Sequence, residues 1–167
     1  MPVEFLPFAE VRKTTPTYFV YQTPLGRVSI QARDQAITQM RLGSCQLDGQ
    51  NKSTAATNAV ATQVQEYLAG KRTEFDLTAA AQGTDFQVEV WQQLCRIAYG
   101  QTMSYSQVAE AIGKPKAYRA VGAAANSNPI LLAIPCHRVV GSDGSLVGFA
   151  SGLHIKRYLL DLEAGKL

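Results

Sequence analysis

The stretch SYSQVAEAIGKPKAYRAVGAAAN, residues 104–126, decides how the C-terminal half of this chain is read. Ser104 and Gln107 stand at capping-box spacing, in which the serine hydroxyl accepts from the backbone three residues on and the glutamine side chain reaches back. Val108, Ala109 and Ile112 then supply the buried face of a short helix, and Gly113 ends it. Pro115 sits near the start of a second helix that runs to about Asn126, where Asn128-Pro129 breaks it. Two short helices about a tight turn make a helix-turn-helix candidate. Ala117, Ala120, Ala123, Ala124 and Ala125, with Gly122, keep the second helix thin enough to enter a groove, and Arg119 projects from it with a charge that can reach between bases. Close packing against a neighbouring helix explains some of these alanines but not Arg119.

Working outward, Thr84 and Gln87 repeat the capping-box spacing ahead of Phe86, Val90, Leu94 and Ile97, one face of a helix that Gly100 closes; Trp91 beside that stripe reads as core. On the other side, the apolar run Ile130 to Ile134 reads as a buried strand or extended segment, and it delivers Pro135-Cys136-His137-Arg138-Val139. A thiol becomes a nucleophile when neighbouring cations or hydrogen bonds favour its thiolate, and His137 and Arg138 are the densest local supply of such groups. Gly141-Ser142-Asp143-Gly144 is a turn, and Gly148-Phe149-Ala150-Ser151-Gly152 is a small-residue loop with one aromatic. A helix from about Leu153 buries Ile155, Leu159 and Leu162, and Glu163 at its end reads either as an ordinary surface carboxylate or as the group that fixes the tautomer of His137.

The N-terminal half carries no cluster suited to chemistry. Residues 1 to 16 read as an irregular arm, and Tyr18 to Tyr21 and Val28 to Ala32 flank a Pro24-Leu25-Gly26 turn as a hairpin. Ala36 to Leu42 adds a strand, residues 43 to 58 are poor in structure formers, and Val60, Val64, Tyr67 and Leu68 recur at helical spacing before Gly70. The expected fold is therefore α+β: a small N-terminal antiparallel sheet backed by a helix over residues 1–80, then a mainly helical domain over residues 81–167.

Composition sets wider bounds. At 167 residues, 46% hydrophobic and 17% charged, the chain reads as an ordinary globular protein with no apolar run long enough to cross a bilayer and no secretory leader, which points to the cytoplasm. Cys45, Cys95 and Cys136 are odd in number, widely spaced and without zinc-like company, so free thiols in a reducing compartment are expected rather than disulfides or a metal site. The net charge of +3 matters less than its placement: no acidic residue falls between Glu110 and Asp143, whereas Lys114, Lys116, Arg119 and Arg138 do.

Pro135-Cys136-His137-Arg138-Val139, Asn128-Pro129 upstream of the thiol, Arg119-Ala120-Val121-Gly122 and Ser104-Tyr105, at these mutual spacings, resemble the methylated-DNA-protein-cysteine methyltransferases. The resemblance is close over residues 83 to 163. It implies an N-terminal domain of ribonuclease H-like topology, a winged-helix-like C-terminal domain, and repair of guanine alkylated on its exocyclic oxygen, with less activity on thymine. On that likeness Cys136 is the alkyl acceptor, His137 acts through a water with Glu163 behind it, Asn128 holds the presenting turn, and Tyr105 assists the leaving oxygen. Arg119 fills the gap left by the extruded base, with Tyr105, Ser106, Lys114, Phe86 and Ser142 also facing DNA. Phe149, Val147 and Ala150 line the base pocket; many relatives carry tyrosine at Phe149 and glycine at Ser151, a departure that bears on the width of alkyl group accepted. The partner implied is double-stranded DNA gripped through the minor groove by a monomer, with no cofactor and no metal. Two other classes fit the bare residues: a cysteine hydrolase, which would need an oxyanion hole and would turn over, and a DNA-binding module that leaves the thiol unused.

Overall fold

The computed structural model describes residues 3–167; Met1 and Pro2, the tip of the expected irregular arm, lie outside the described residues. Two compact units form, one running to Gln82 and including Pro129–Ala133, the other comprising Gly83–Asn128 and Ile134–Leu167.

In the first unit the elements are β1 (Val3–Phe5), β2 (Thr17–Thr23), β3 (Gly26–Arg33), β4 (Ala36–Leu42), β5 (Gln50–Asn51), α1 (Ala55–Leu68) and β6 (Leu77–Ala79). The β2–β3–β4 meander is antiparallel as its hairpin signals predict, with Gly26 at φ 92° and Asp34 at φ 58° making the turns. The expected antiparallel sheet is corrected to a mixed one of six strands among the described residues, ordered β1-β6-β4-β3-β2-β5, because β1/β6, β4/β6 and β2/β5 pair in parallel. The strands that sequence reading missed are two or three residues long, too short for alternation to register. Part of the supposedly irregular arm is thus strand β1.

Period-2 alternation divides the sheet's faces. Val28, Ile30 and Met40 are at most 1% exposed on the side where α1 lies, and that helix buries Val60, Val64, Tyr67 and Leu68, each worth roughly 1.5–3 kcal/mol. The intervening Ser29 and Gln31 point the other way and are satisfied there: Ser29 Oγ donates to the Gly43 carbonyl (2.7 Å) and Gln31 Nε2 to that of Asp48 (3.1 Å). α1 starts earlier than its apolar stripe, because Thr54 and Thr57 form a capping box.

The second unit contains α2 (Asp85–Leu94), β7 (Met103–Ser104), α3 (Tyr105–Ala111), α4 (Tyr118–Asn126), β8 (Val139–Val140) and α5 (Leu153–Glu163). Both expected capping boxes form, at Thr84/Gln87 and Ser104/Gln107. α2 ends at Leu94 rather than near Gly100, and Ile97 is buried from the turn beyond it. α4 starts at Tyr118, three residues later than Pro115 suggested. Trp91 is core, 1% exposed, and its indole N–H donates to the Ala124 carbonyl at 2.8 Å, tying α2 to α4. Val121, Ala124 and Ala125 are the buried side of α4; Arg119, Ala120 and Ala123 are exposed. The run from Ile130 to Ile134 is buried but not extended: after one bridge to Met40 it turns, with Leu132 at φ 71°, a conformation that costs a non-glycine residue about 1–3 kcal/mol.

Candidate functional site

Cys136 opens a single 3-10 turn, Cys136–Arg138, whose three residues are all buried. Asn128, just past the end of α4, holds it: the Asn128 amide donates to the Ile134 carbonyl at 2.7 Å and to Cys136 Sγ at 3.3 Å. Burial pushes the thiol pKa up. Against it act, in falling order, the Asn128 hydrogen bond, the charge of Lys156 and the N–H groups of Cys136 and His137. Cys95, by contrast, is pushed up to about 12 by burial, which the charge of Arg138 opposes without prevailing.

Behind the cysteine lies a buried charge chain. His137 is 0% exposed and its Nε2 stands 2.7 Å from Glu163 Oε2. The Arg138 guanidinium grips the same carboxylate with Nε to Oε1 (2.8 Å) and Nη2 to Oε2 (2.9 Å), while Nη1 donates to the Ile97 carbonyl (2.7 Å). Gly100 N–H completes the carboxylate's shell at 3.1 Å. Burial opposes ionisation of Glu163, but the hydrogen bonds from His137 and Arg138, with the Arg138 charge, outweigh it and hold the carboxyl far below its usual range. Burial likewise pushes His137 down despite the carboxylate. The pair is therefore a neutral imidazole donating Nε2–H to an anionic Glu163 whose counter-ion is Arg138.

That arrangement corrects one sequence expectation: Arg138 is spent on Glu163, and the cation felt by Cys136 is Lys156. Its face of α5 is Lys156, Leu159 and Glu163, in place of the expected Ile155, Leu159 and Leu162. Lys156 is 0% exposed, its Nζ donates to the Val147 carbonyl (3.0 Å), and it lies 5.9 Å from the ring centroids of both Tyr105 and Phe149. Tyr105 Oη donates to the same Val147 carbonyl at 2.9 Å. Burial, then the neighbouring Cys136 charge, raise the Tyr105 pKa, so its hydroxyl keeps its proton at neutral pH. Nothing in the bare sequence singled out Lys156; a lysine on an amphipathic helix ordinarily keeps its ammonium in water.

The remaining expected residues divide. Phe149 is half-buried against Lys156, whereas Val147 is 43% exposed and contributes its backbone carbonyl, and Ala150 is exposed. Gly122 packs beside Tyr105, whose ring atoms lie 3.7 Å from where a Cβ would stand, an ordinary contact distance. Ser106 sits half-buried in the first turn of α3, and Ser142 is exposed in its turn. Lys114 lies over the Phe86 ring (5.6 Å) and forms an exposed pair with Glu89 (2.9 Å), so the exposed cations of the acid-free stretch that carry no carboxylate partner among the described residues are Lys116 and Arg119.

A thiol held by an amide and backed by His-Glu-Arg lies in the same unit as the α3–α4 pair, and comparison with known proteins decides the family. The family model for 6-O-methylguanine DNA methyltransferase, DNA binding domain, matches residues 85–165, and that for its ribonuclease-like domain matches residues 17–80. The methylated-DNA-protein-cysteine methyltransferase of Methanosarcina acetivorans is 38% identical over 155 residues, covering 87% of this chain and 97% of that protein. This chain belongs to the methylated-DNA-protein-cysteine methyltransferase family. The Methanosarcina barkeri member is 58% identical over 107 residues, 64% of this chain and 68% of its own length. Among solved structures, Mycobacterium tuberculosis OGT in complex with DNA superposes with a TM-score of 0.84 at 38% identity, covering 90% of this chain and 94% of that one. Family membership sets aside the cysteine hydrolase and the DNA-binding module with an idle thiol.

Proposed function

We propose that this methyltransferase repairs DNA by direct reversal, moving the alkyl group of O-alkylated guanine, and less readily of thymine, onto Cys136 once per molecule. The observation that carries the site assignment is the amide-held thiol of Cys136 backed by the buried His137-Glu163-Arg138 chain. Because Glu163 keeps the proton on Nε2, Nδ1 is the basic nitrogen of His137, and through one water it takes the thiol proton as the sulfur reacts. Glu163 then balances the imidazolium, while Lys156 and the Asn128 amide stabilise the thiolate. The sulfur attacks the alkyl carbon in line; an S–C bond forms and the C–O bond breaks, its electron pair passing to the guanine oxygen. Tyr105 offers its hydroxyl hydrogen to that oxygen, and the proton lost by the thiol is replaced on the guanine. The resulting thioether gives water no good leaving group, so the thiol is not regenerated.

On this reading the target base leaves the duplex at a cost of a few kcal/mol, and a monomer approaches through the minor groove. Arg119 on the thin exposed face of α4 fills the vacated place, with Ser106, Lys114, Phe86 and Ser142 as flanking contacts. Phe149, Val147 and Ala150 border the base. Residues 1–80 support, with ribonuclease H-like topology, and residues 81–167 bind DNA and accept the alkyl group in a winged-helix-like arrangement. Free thiols and a DNA substrate agree with a cytoplasmic location. The test is mass spectrometry after incubation with duplex containing O6-methylguanine: one methyl addition on Cys136, with transfer abolished and binding retained in Cys136→Ala. Product released beyond one equivalent would overturn the assignment.

A further inference from the structure

Tyr118 is among the few large apolar side chains left in water, 43% exposed, and no role described so far uses it. It is the first residue of α4, directly before Arg119, at the solvent edge of the face that buries Val121 and Ala125. The Arg119 guanidinium carbon lies 5.8 Å from the centroid of its ring, within the range of a cation–π contact. A free arginine samples many rotamers, and a side chain that must slide into a base stack loses that freedom on binding. A flat aromatic face beside the guanidinium restricts those rotamers before DNA arrives.

We propose that Tyr118 is a positioning residue for Arg119: its ring holds the guanidinium ready for insertion, so that less ordering is left to the step in which the base is extruded. The inference rests on the role given to Arg119 above. Tyr118 acts through Arg119 and has no part in the chemistry at Cys136.

The experiment compares wild type, Tyr118→Ala, Tyr118→Phe, Arg119→Ala and the Tyr118→Ala/Arg119→Ala pair. It reads single-turnover transfer from O6-methylguanine duplex, extrusion by the fluorescence of a 2-aminopurine beside the lesion, and transfer from free O6-benzylguanine. Tyr118→Ala should lower duplex transfer and extrusion by about two- to fivefold, the scale of one exposed cation–π contact. Tyr118→Phe should match wild type, the free base should react alike with both Tyr118 variants, and in the Arg119→Ala background the tyrosine change should add nothing. Equal loss with the free base would overturn the proposal in favour of a structural role. The same loss on top of Arg119→Ala would overturn it in favour of a direct DNA contact, and loss in Tyr118→Phe would assign the effect to the hydroxyl. Failure of the underlying reading looks different: wild type would then take no alkyl group from duplex, or Arg119→Ala would itself be silent.

Discussion

Replacing Glu163 by glutamine tests the buried chain that supports the thiol. The carboxylate receives His137 Nε2, two guanidinium nitrogens of Arg138 and the Gly100 N–H, all between 2.7 and 3.1 Å. An amide keeps one acceptor oxygen, turns an NH2 group toward donors and leaves Arg138 buried without its counter-charge. Breaking a buried ion pair from one side costs about 3–5 kcal/mol. At about 2–4 °C per kcal/mol for a chain of this size, the melting point should drop by roughly 6–20 °C. Acid narrows the gap in a defined direction. A carboxyl whose folded-state pKa lies below its unfolded value, as for Glu163, adds stability that is complete above about pH 4.3. That contribution drains away as pH falls through the folded-state value. Wild type should therefore exceed Glu163→Gln fully at pH 6–8 and approach it only well below pH 4. At a temperature where both are folded, transfer should fall by about 100-fold or more, the scale of a disabled general base. Differential scanning calorimetry across pH and single-turnover transfer supply the readings. A loss below about 1 kcal/mol, or transfer within twofold of wild type, would refute the chain as both a structural and a chemical support.

Lys156→Met keeps length and removes the cation that Cys136 feels; it should move the pH profile of thiol alkylation upward and slow transfer at neutral pH, and an unmoved profile measured with O6-benzylguanine would remove that role. Arg119→Ala should weaken binding to alkylated duplex by roughly tenfold or more, the scale of an interface arginine worth over 1 kcal/mol, and unchanged titrations and extrusion would dismiss it. Gly83→Ala would set a methyl 2.5 Å from the Trp91 ring, which is 1% exposed and has little room to yield; overpacking should cost about 1–3 kcal/mol in urea denaturation without altering the transfer rate of folded protein.

Sequence by itself determined the features whose cause is local. The Ser104/Gln107 and Thr84/Gln87 boxes formed because their hydrogen bonds close within three residues, and the β2–β3–β4 meander followed from alternation and turn residues. Pro135-Cys136-His137-Arg138 with Glu163 was legible through family likeness, and so was the pairing of His137 with Glu163. Only the tertiary structure decided which charges face which. Arg138 meets a carboxylate 25 residues away and the Ile97 carbonyl 41 residues back, so the cation beside the thiol in sequence is not the one beside it in space. Lys156 is drawn into the core by the Val147 carbonyl and the Phe149 ring of one loop together with the Tyr105 ring about fifty residues back in the chain. The left-handed Leu132 escaped notice for the same reason. Partners far apart in the chain stabilise a conformation that no neighbouring residue favours.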